Sequence, residues 1–139
     1  MTTGFVADAS VAIAWVHPGQ ATAESDALLQ AVEKGARVRA PALWPLETAN
    51  ALLVLTRRGK LTEGDRRLAL SALSGLQVEL DHEMAALAYG KLSDLARKYR
   101  LSVYDASYLE LALRNELPLA CKDGPLRDAA KRCRVRLAM

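Results

Sequence analysis

Short apolar runs alternate with amphipathic helical patterns along the 139 residues of the chain. A short apolar run bounded by polar, Gly or Pro residues predicts a buried strand, and apolar residues that recur every 3.6 positions predict a helix. The predicted strands fall at residues 4–7, 38–40, 77–80 and 118–121, with a last edge strand at 135–137. The predicted helices fall at residues 9–16, 21–34, 46–57, 62–75, 83–100, the apolar stretch after Ser102, and 123–133.

Strands that alternate with helices predict a parallel sheet, because each helix returns the chain to the same end of the sheet. We therefore expect a three-layer α/β fold with a short-stranded parallel central sheet flanked by helices. No repeat, low-complexity tract or linker interrupts the pattern. A single domain over residues 1–139 is the prediction, since this length suits one hydrophobic core.

The composition is that of a soluble globular protein, with 51% hydrophobic and 25% charged residues. No apolar run approaches the roughly 20 residues that a membrane helix needs. The first basic residue is Lys34, so the N-terminus lacks the basic region of a signal peptide. We expect a cytoplasmic protein with no membrane association.

Cysteine and histidine positions do not indicate a zinc site. Cys121 and Cys133 form no C-x-x-C pair, and His17 and His82 are distant from them and from each other. Free thiols are expected in a protein without a secretion signal.

Positive charge is concentrated at the C-terminal end of the chain. Residues 120–139 carry a net charge of +4, whereas the remaining 119 residues carry −1. A basic surface beside acidic motifs suits a protein that attracts and cuts a polyanion. A solvated helix surface explains the same charges equally simply.

Four acids occupy the boundaries where predicted strands end and helices begin. Asp8 and Asp123 lie directly between a strand and a helix, and Glu47 and Asp105 fall in first helical turns. In a parallel sheet the functional crevice lies at the carboxyl ends of the strands, so these acids can converge there. Asp81 has a similar setting, and its spacing alone does not exclude it.

Each acid taken singly also has a structural explanation. Asp8 and Asp123 suit helix N-caps, Glu47 complements a helix dipole, and Ser102-x-x-Asp105 is a capping-box pattern. Several gathered carboxylates, however, repel one another unless a cation compensates. Oxygen ligands without His or Cys favour Mg²⁺ or Mn²⁺, which activate water and neutralise a phosphoryl transition state.

Two polar side chains are placed to support these acids. Ser10 follows Asp8 by two residues, and Asn50 follows Glu47 by three, one helical turn further along the same face. Local capping or packing is the alternative role for both.

Four segments together resemble the motifs of PIN-domain ribonucleases, and most closely the toxin component of VapBC toxin–antitoxin pairs. The Tyr-Asp-Ala-x-Tyr segment is the most specific, and the resemblance covers essentially the whole chain. The segments are Phe5-Val-Ala-Asp8-Ala-Ser10, Pro45-Leu-Glu47-Thr-Ala-Asn50-Ala-Leu52, Ser102-Val-Tyr-Asp105-Ala-Ser-Tyr108 and Leu119-Ala-Cys-Lys-Asp123-Gly-Pro-Leu126.

The resemblance implies that Asp8, Glu47, Asp105 and Asp123 bind Mg²⁺ or Mn²⁺ and direct hydrolysis of RNA. It also implies a homodimer that a cognate VapB-type antitoxin holds inactive by covering the active site. The residues matching Ser10 and Asn50 surround the site in that family, and Asp81 matches no catalytic acid.

One position departs from the family pattern. The family commonly has Thr or Ser two residues before the fourth acid, where this chain has Cys121. A thiol is a weaker hydrogen-bond partner than a hydroxyl, so the local support of Asp123 is weaker.

The predicted function is therefore a metal-dependent endoribonuclease that hydrolyses RNA with metal-activated water and leaves 5′-phosphate and 3′-hydroxyl ends. Lys122 and Arg127 are candidates to guide the RNA backbone, and an unpaired substrate is favoured.

The alternative is an inactive PIN-like module that binds RNA or protein. An aspartyl phosphatase is disfavoured because that class usually has a second acid two residues after the first, where this chain has Ser10. A receiver domain is disfavoured because it has an adjacent acidic pair near its N-terminus, and Phe5-Val-Ala lacks one.

Overall fold

A computed structural model describes residues 4–139 and contains one four-stranded parallel sheet. The strands lie in the order β3-β2-β1-β4. Phe5 pairs with Val38, Val38 with Val78, and Val6 with Leu119, so apolar residues cross the sheet in register. The strands are β1 (Gly4–Ala7), β2 (Arg37–Pro41), β3 (Val78–Asp81) and β4 (Leu119–Ala120).

Helices connect the strands and cover both faces of the sheet, which confirms the predicted three-layer α/β fold. A single short turn at Pro18–Gln20 follows the first helix, where the sequence predicted a break. The helices are α1 (Ala9–Val16), α2 (Ala23–Glu33), α3 (Trp44–Arg57), α4 (Glu63–Gly75), α5 (Met84–Leu87), α6 (Ser93–Tyr99), α7 (Val103–Asn115) and α8 (Gly124–Arg132).

Side-chain caps fix where most helices begin. Thr22 and Ser25 form a reciprocal capping box at α2, and Thr62 caps α4 by accepting from the Asp65 amide. Ser102 caps α7 in the same way through the Asp105 amide. These are local signals, so the predicted starts of these helices lie within two residues of the observed ones.

α7 forms the centre of the larger core. Seven consecutive residues from Ala106 to Ala112 are buried, and Tyr108, Leu109 and Leu111 belong to one buried apolar cluster with residues of α1, α3, α4 and α8. A smaller cluster around Phe5 and Val38 fills the other face of the sheet. Because its middle is buried, α7 has a fixed place in the core, whereas Val103 and Tyr104 of its first turn are exposed.

Two element predictions differ from the structure. The helix predicted at 83–100 is interrupted by a π-helical turn at Ala88–Leu92, where the Ser93 hydroxyl donates to the Ala88 carbonyl at 2.7 Å. The strand predicted at 135–137 is reduced to one bridge between Leu137 and Leu119. Pro41 is the last residue of β2, as predicted, and it pairs with Asp81.

None of the helices within residues 4–139 is both long enough and apolar enough to cross a membrane.

Candidate metal centre

Pairing of the two strands β1 and β4 brings the first and fourth acids to the same edge of the sheet. The Asp8 amide donates to the Ala120 carbonyl at 3.1 Å. The Lys122 amide donates to the Ser10 hydroxyl at 3.1 Å. Since α1 and α8 both begin here, Asp8 and Asp123 come from neighbouring strand ends, as the parallel topology predicts.

Asp8 is buried, with 5% of its surface exposed, and caps α1. Its Oδ1 accepts from the Ser10 hydroxyl at 2.6 Å and from the Val11 amide at 3.3 Å. The pKa of Asp8 is raised to about 6, chiefly by burial and to a smaller extent by the nearby Asp105 and Glu47 carboxylates, against these two hydrogen bonds.

Glu47 lies in the first turn of α3 and is held from the opposite side of the site. The buried Tyr108 of α7 donates its hydroxyl to Glu47 Oε1 at 2.6 Å. Burial raises the pKa of Glu47, the Tyr108 hydrogen bond opposes the shift, and Asp105 adds to it. Burial and the bond to Glu47 also raise the pKa of Tyr108, so its hydroxyl stays protonated and keeps donating.

Asp105 stands between the other acids in the first turn of α7. Burial raises its pKa first, and the charge of Asp123 raises it further. Asp123 caps α8, and its Oδ2 accepts from the Leu126 amide at 2.9 Å. The charge of Asp105 also raises the pKa of Asp8 and of Glu47, so Asp105 lies near enough to each of the three other acids to interact with it electrostatically.

Three of the carboxylates each hold one oxygen in a protein hydrogen bond. The bonded atoms are Asp8 Oδ1, Glu47 Oε1 and Asp123 Oδ2. Within residues 4–139, the second oxygen of each makes no hydrogen bond to protein and no ion pair with a cation. Oriented carboxylates with one free oxygen apiece are the arrangement that supporting hydrogen bonds give to metal ligands.

The acids nevertheless stand apart from one another. In the part of the chain that the structure describes, no three His, Cys, Asp or Glu side chains lie close enough to hold a metal ion. Repulsion between the like-charged carboxylates accounts both for the way they raise one another's pKa values and for their separation. Binding an ion here would require the free oxygens to move inward.

The chemistry of the donors fits a hard divalent cation. All four groups offer carboxylate oxygen, and the nearby Cys121 thiol is not a competing ligand. Burial, then the charge of Asp8, raises the pKa of Cys121 to about 12, so it remains a neutral thiol.

The structure places the remaining predicted residues in different settings. Asn50 is exposed one turn after Glu47, and the Lys122 ammonium donates to the Gln20 carbonyl at 2.9 Å. Arg127 is partly buried and donates to the Cys121 carbonyl at 3.0 Å and to the Met139 carbonyl. Arg127 therefore links the end of β4 to the C-terminal segment.

Asp81 belongs to a separate ion-pair network. Arg114 of α7 binds it through two nitrogens at 2.8 and 3.0 Å, and also binds the buried Glu110. Arg114 lowers the pKa of Asp81. This acid is therefore already neutralised by protein, unlike the four acids of the candidate centre.

The main contact that sequence reasoning missed is the Tyr108–Glu47 hydrogen bond. The two residues are 61 positions apart, so no local pattern connects them. The sequence does indicate that Tyr108 faces the site, because it follows Asp105 by one helical turn and so projects from the same side of α7.

Comparison with known families and structures supplies independent evidence. A family model described as PIN domain matches residues 5–132. No curated protein sequence matches this chain significantly.

Several solved structures share the fold at low sequence identity. PAE2754 from Pyrobaculum aerophilum superposes with a TM-score of 0.68 at 22% identity, covering 93% of this chain and 86% of that one. VapC20 from Mycobacterium tuberculosis, described as a sarcin–ricin loop cleaving toxin, gives 0.66 at 19%, covering 90% and 94%. FitAcB from Neisseria gonorrhoeae gives 0.64 at 18%, covering 96% and 95%.

Proposed function

Because this chain belongs to the PIN domain family, we propose that it is a Mg²⁺- or Mn²⁺-dependent endoribonuclease. We further propose that it is a single-domain, VapC-type toxin of a type II toxin–antitoxin system. The observation that carries the proposal is the group of four acids at one sheet edge, without a protein cation to neutralise them among the described residues. VapC20, which has a similar fold, is described as a sarcin–ricin loop cleaving toxin.

Each acid has a defined role in this proposal. Asp8, Glu47 and Asp105 hold the principal ion, and Asp123 helps to place the attacking water or a second ion. The bound ion neutralises developing phosphate charge and activates water. Ser10 and Tyr108 keep Asp8 and Glu47 in their orientations through the hydrogen bonds at 2.6 Å.

The partners follow from the same proposal. The substrate is RNA in the cytoplasm, approached in part through Lys122 and Arg127. The protein forms a homodimer, and a VapB-type antitoxin inhibits it by covering the acidic centre.

Incubating the purified protein with RNA and Mn²⁺, with and without a chelator, tests the activity. Asp8→Asn and Asp105→Asn should each lower the cleavage rate by at least about 100-fold, because each removes a charged ligand of the ion. Asp128→Asn is a matched control, since this exposed acid lies five residues after Asp123 and outside the group. Cleavage that persists in chelator, or in both site variants, would refute the proposal.

The binding-module alternative gives a different result in the same experiment. A protein that binds RNA without cutting it would retain RNA in a filter-binding assay and leave its length unchanged in Mn²⁺. All four acids are present, which favours the nuclease.

A further inference from the structure

Exposed apolar side chains lie next in sequence to two acids of the candidate centre. Five large apolar side chains in residues 4–139 are prominently exposed, and three of them lie in the first turns of α3 and α7. These three are Leu46 at 75%, Val103 at 40% and Tyr104 at 65% exposure. Leu46 immediately precedes Glu47, and Tyr104 immediately precedes Asp105.

The geometry of α7 fixes the side from which Tyr104 projects. Tyr104 and Tyr108 are four residues apart and therefore share one face of the helix. That face is turned towards the acids, because the Tyr108 hydroxyl reaches Glu47 at 2.6 Å. Helical side chains lean towards the N-terminus, so Tyr104 projects from the start of α7 on the side of the helix that faces the acids.

The two tyrosines on this face differ in their surroundings. Tyr108 is buried, and its hydroxyl donates its hydrogen bond to Glu47. Tyr104 exposes most of its ring and contributes little to the core. Folding therefore does not explain an aromatic residue here, beside an acid that the reaction needs.

The acids themselves offer nothing that binds a nucleobase. They are suited to a cation and, through it, to phosphate, whereas unpaired bases are commonly held by stacking on aromatic side chains. An exposed ring next to Asp105 supplies that missing contact.

We propose that Tyr104 stacks on an unpaired nucleobase next to the scissile phosphate and thereby selects single-stranded RNA. This inference rests on the proposed nuclease function and assigns a substrate contact to a residue outside the metal ligands. Duplex RNA would be excluded because its bases are already stacked on one another.

A fluorescent RNA separates this contact from catalysis. Single-stranded RNA containing 2-aminopurine is titrated with metal-free protein in chelator, where no cleavage occurs, and both affinity and quenching are recorded. Wild type and Tyr104→Phe should quench the base, whereas Tyr104→Ala should bind about 10-fold more weakly and lose the quenching. Tyr89→Ala is the matched control, because Tyr89 is fully exposed and lies on the π-helical turn instead.

Three results would overturn the inference. The first is quenching and affinity in Tyr104→Ala equal to those of wild type. The second is an absence of binding and quenching in wild type. The third is a changed oligomeric state in Tyr104→Ala, measured by light scattering, with RNA affinity unchanged, since the ring would then belong to a protein interface.

Cleavage assays in Mn²⁺ distinguish failure of this inference from failure of the proposed function. Tyr104→Ala should raise KM about 10-fold with little change in kcat, because it removes a binding contact. If wild type cuts no RNA, the nuclease proposal fails, and the chelator titration still decides whether Tyr104 stacks on a base.

Discussion

Asp8 carries a charge that the metal-free fold accommodates poorly. Burial holds its pKa at about 6, above the ordinary value of 3.8. The folded chain therefore binds a proton on this group at pH values where the unfolded chain has released it. The same burial that destabilises the free carboxylate strengthens its attraction for a cation.

We predict that, in chelator, stability decreases as pH rises from about 4 to about 6. The folded state binds more protons than the unfolded state in this window, so the free energy of unfolding falls with pH. The Asp8 contribution is about 3 kcal/mol at most, from a pKa difference of about two units. Urea unfolding of wild type and Asp8→Asn at several pH values measures it.

Asp8→Asn should flatten this pH dependence and be more stable than wild type at pH 7 without metal. Asn keeps an oxygen that can accept from Ser10 and Val11, so the cap survives. A pH slope identical in both proteins would contradict the assignment.

Tyr108 is the second residue whose role can be measured separately. Tyr108→Phe removes only the hydroxyl that holds Glu47. We expect Mn²⁺ affinity to fall about 10-fold, as for supporting residues of other metal sites, and stability to fall by about 1–2 kcal/mol. Isothermal titration with Mn²⁺ and urea unfolding provide the two readouts.

Tyr99→Phe is the control for this change. Tyr99 is partly buried beside Lys98 and Arg132 at the end of α6, and within residues 4–139 its hydroxyl makes no hydrogen bond to the four acids. If both variants weakened Mn²⁺ binding equally, the positioning role of Tyr108 would be excluded.

At the scale of elements, α7 connects the candidate centre to the edge of the sheet. Its first turn carries Asp105, and its last turns carry Glu110 and Arg114. Glu110 is buried and accepts from Arg114, which also binds Asp81 at the end of β3. The network anchors α7 to β3, so it helps to keep Asp105 in place.

We predict that Arg114→Met destabilises the fold by about 2 kcal/mol. Within residues 4–139, the change leaves Glu110 buried with only Lys91 at 3.8 Å as a counter-charge. This value is below the range for fully buried pairs because Arg114 is one-third exposed. Thermal or urea unfolding measures the loss.

Two further variants test the cause. Adding Glu110→Met to Arg114→Met should recover part of the stability, because it removes the unpaired buried charge. Arg66→Met breaks an exposed pair with Glu63 on α4 and should change stability much less. Equal losses in Arg66→Met and Arg114→Met would show that burial of Glu110 is unimportant.

The sequence predicted element order well because the signals are local. Thr62 and Ser102 cap their helices as their positions indicate, and Asp8 and Asp123 follow strands that pair in parallel. The π-helical turn at Ala88–Leu92 was missed because the apolar stripe continues through it. The role of Asp81 was left open because its partner Arg114 is 33 residues away.

The sequence predicted which residues form the candidate centre but not how their side chains are oriented. Topology alone brings the strand ends together, and local bonds hold Asp8 and Asp123, whereas the orientation of Glu47 depends on a side chain distant in sequence. Tyr108 orients Glu47, and the Lys122 amide holds Ser10, which in turn holds Asp8. Such contacts follow from packing, which no short motif encodes.

At the scale of the whole molecule, the acids of the candidate centre lie next to the start of a basic region. The acids occupy the sheet edge, and the basic C-terminal region begins with Lys122 beside them. An RNA strand would gain attraction from the basic region while its phosphate meets the metal-loaded acids.

We predict that Lys122→Gln weakens RNA binding for all sequences alike and lowers the slope of log affinity against log salt by about 1. Arg57→Gln is the matched control, since this exposed residue lies about 15 Å along α3 from Glu47. Titrations at several salt concentrations measure both slopes. A slope unchanged in Lys122→Gln would remove this residue from the RNA path.

The borders of the sheet also limit how copies of the chain can join. The outer side of the two-residue strand β4 is already bridged by Leu137, and the four-residue strand β3 carries the acids Glu79 and Asp81. Short, charged or covered edges resist the addition of foreign strands. Two copies would therefore associate through helices, and the short borders protect the fold from open-ended polymerisation by strand addition.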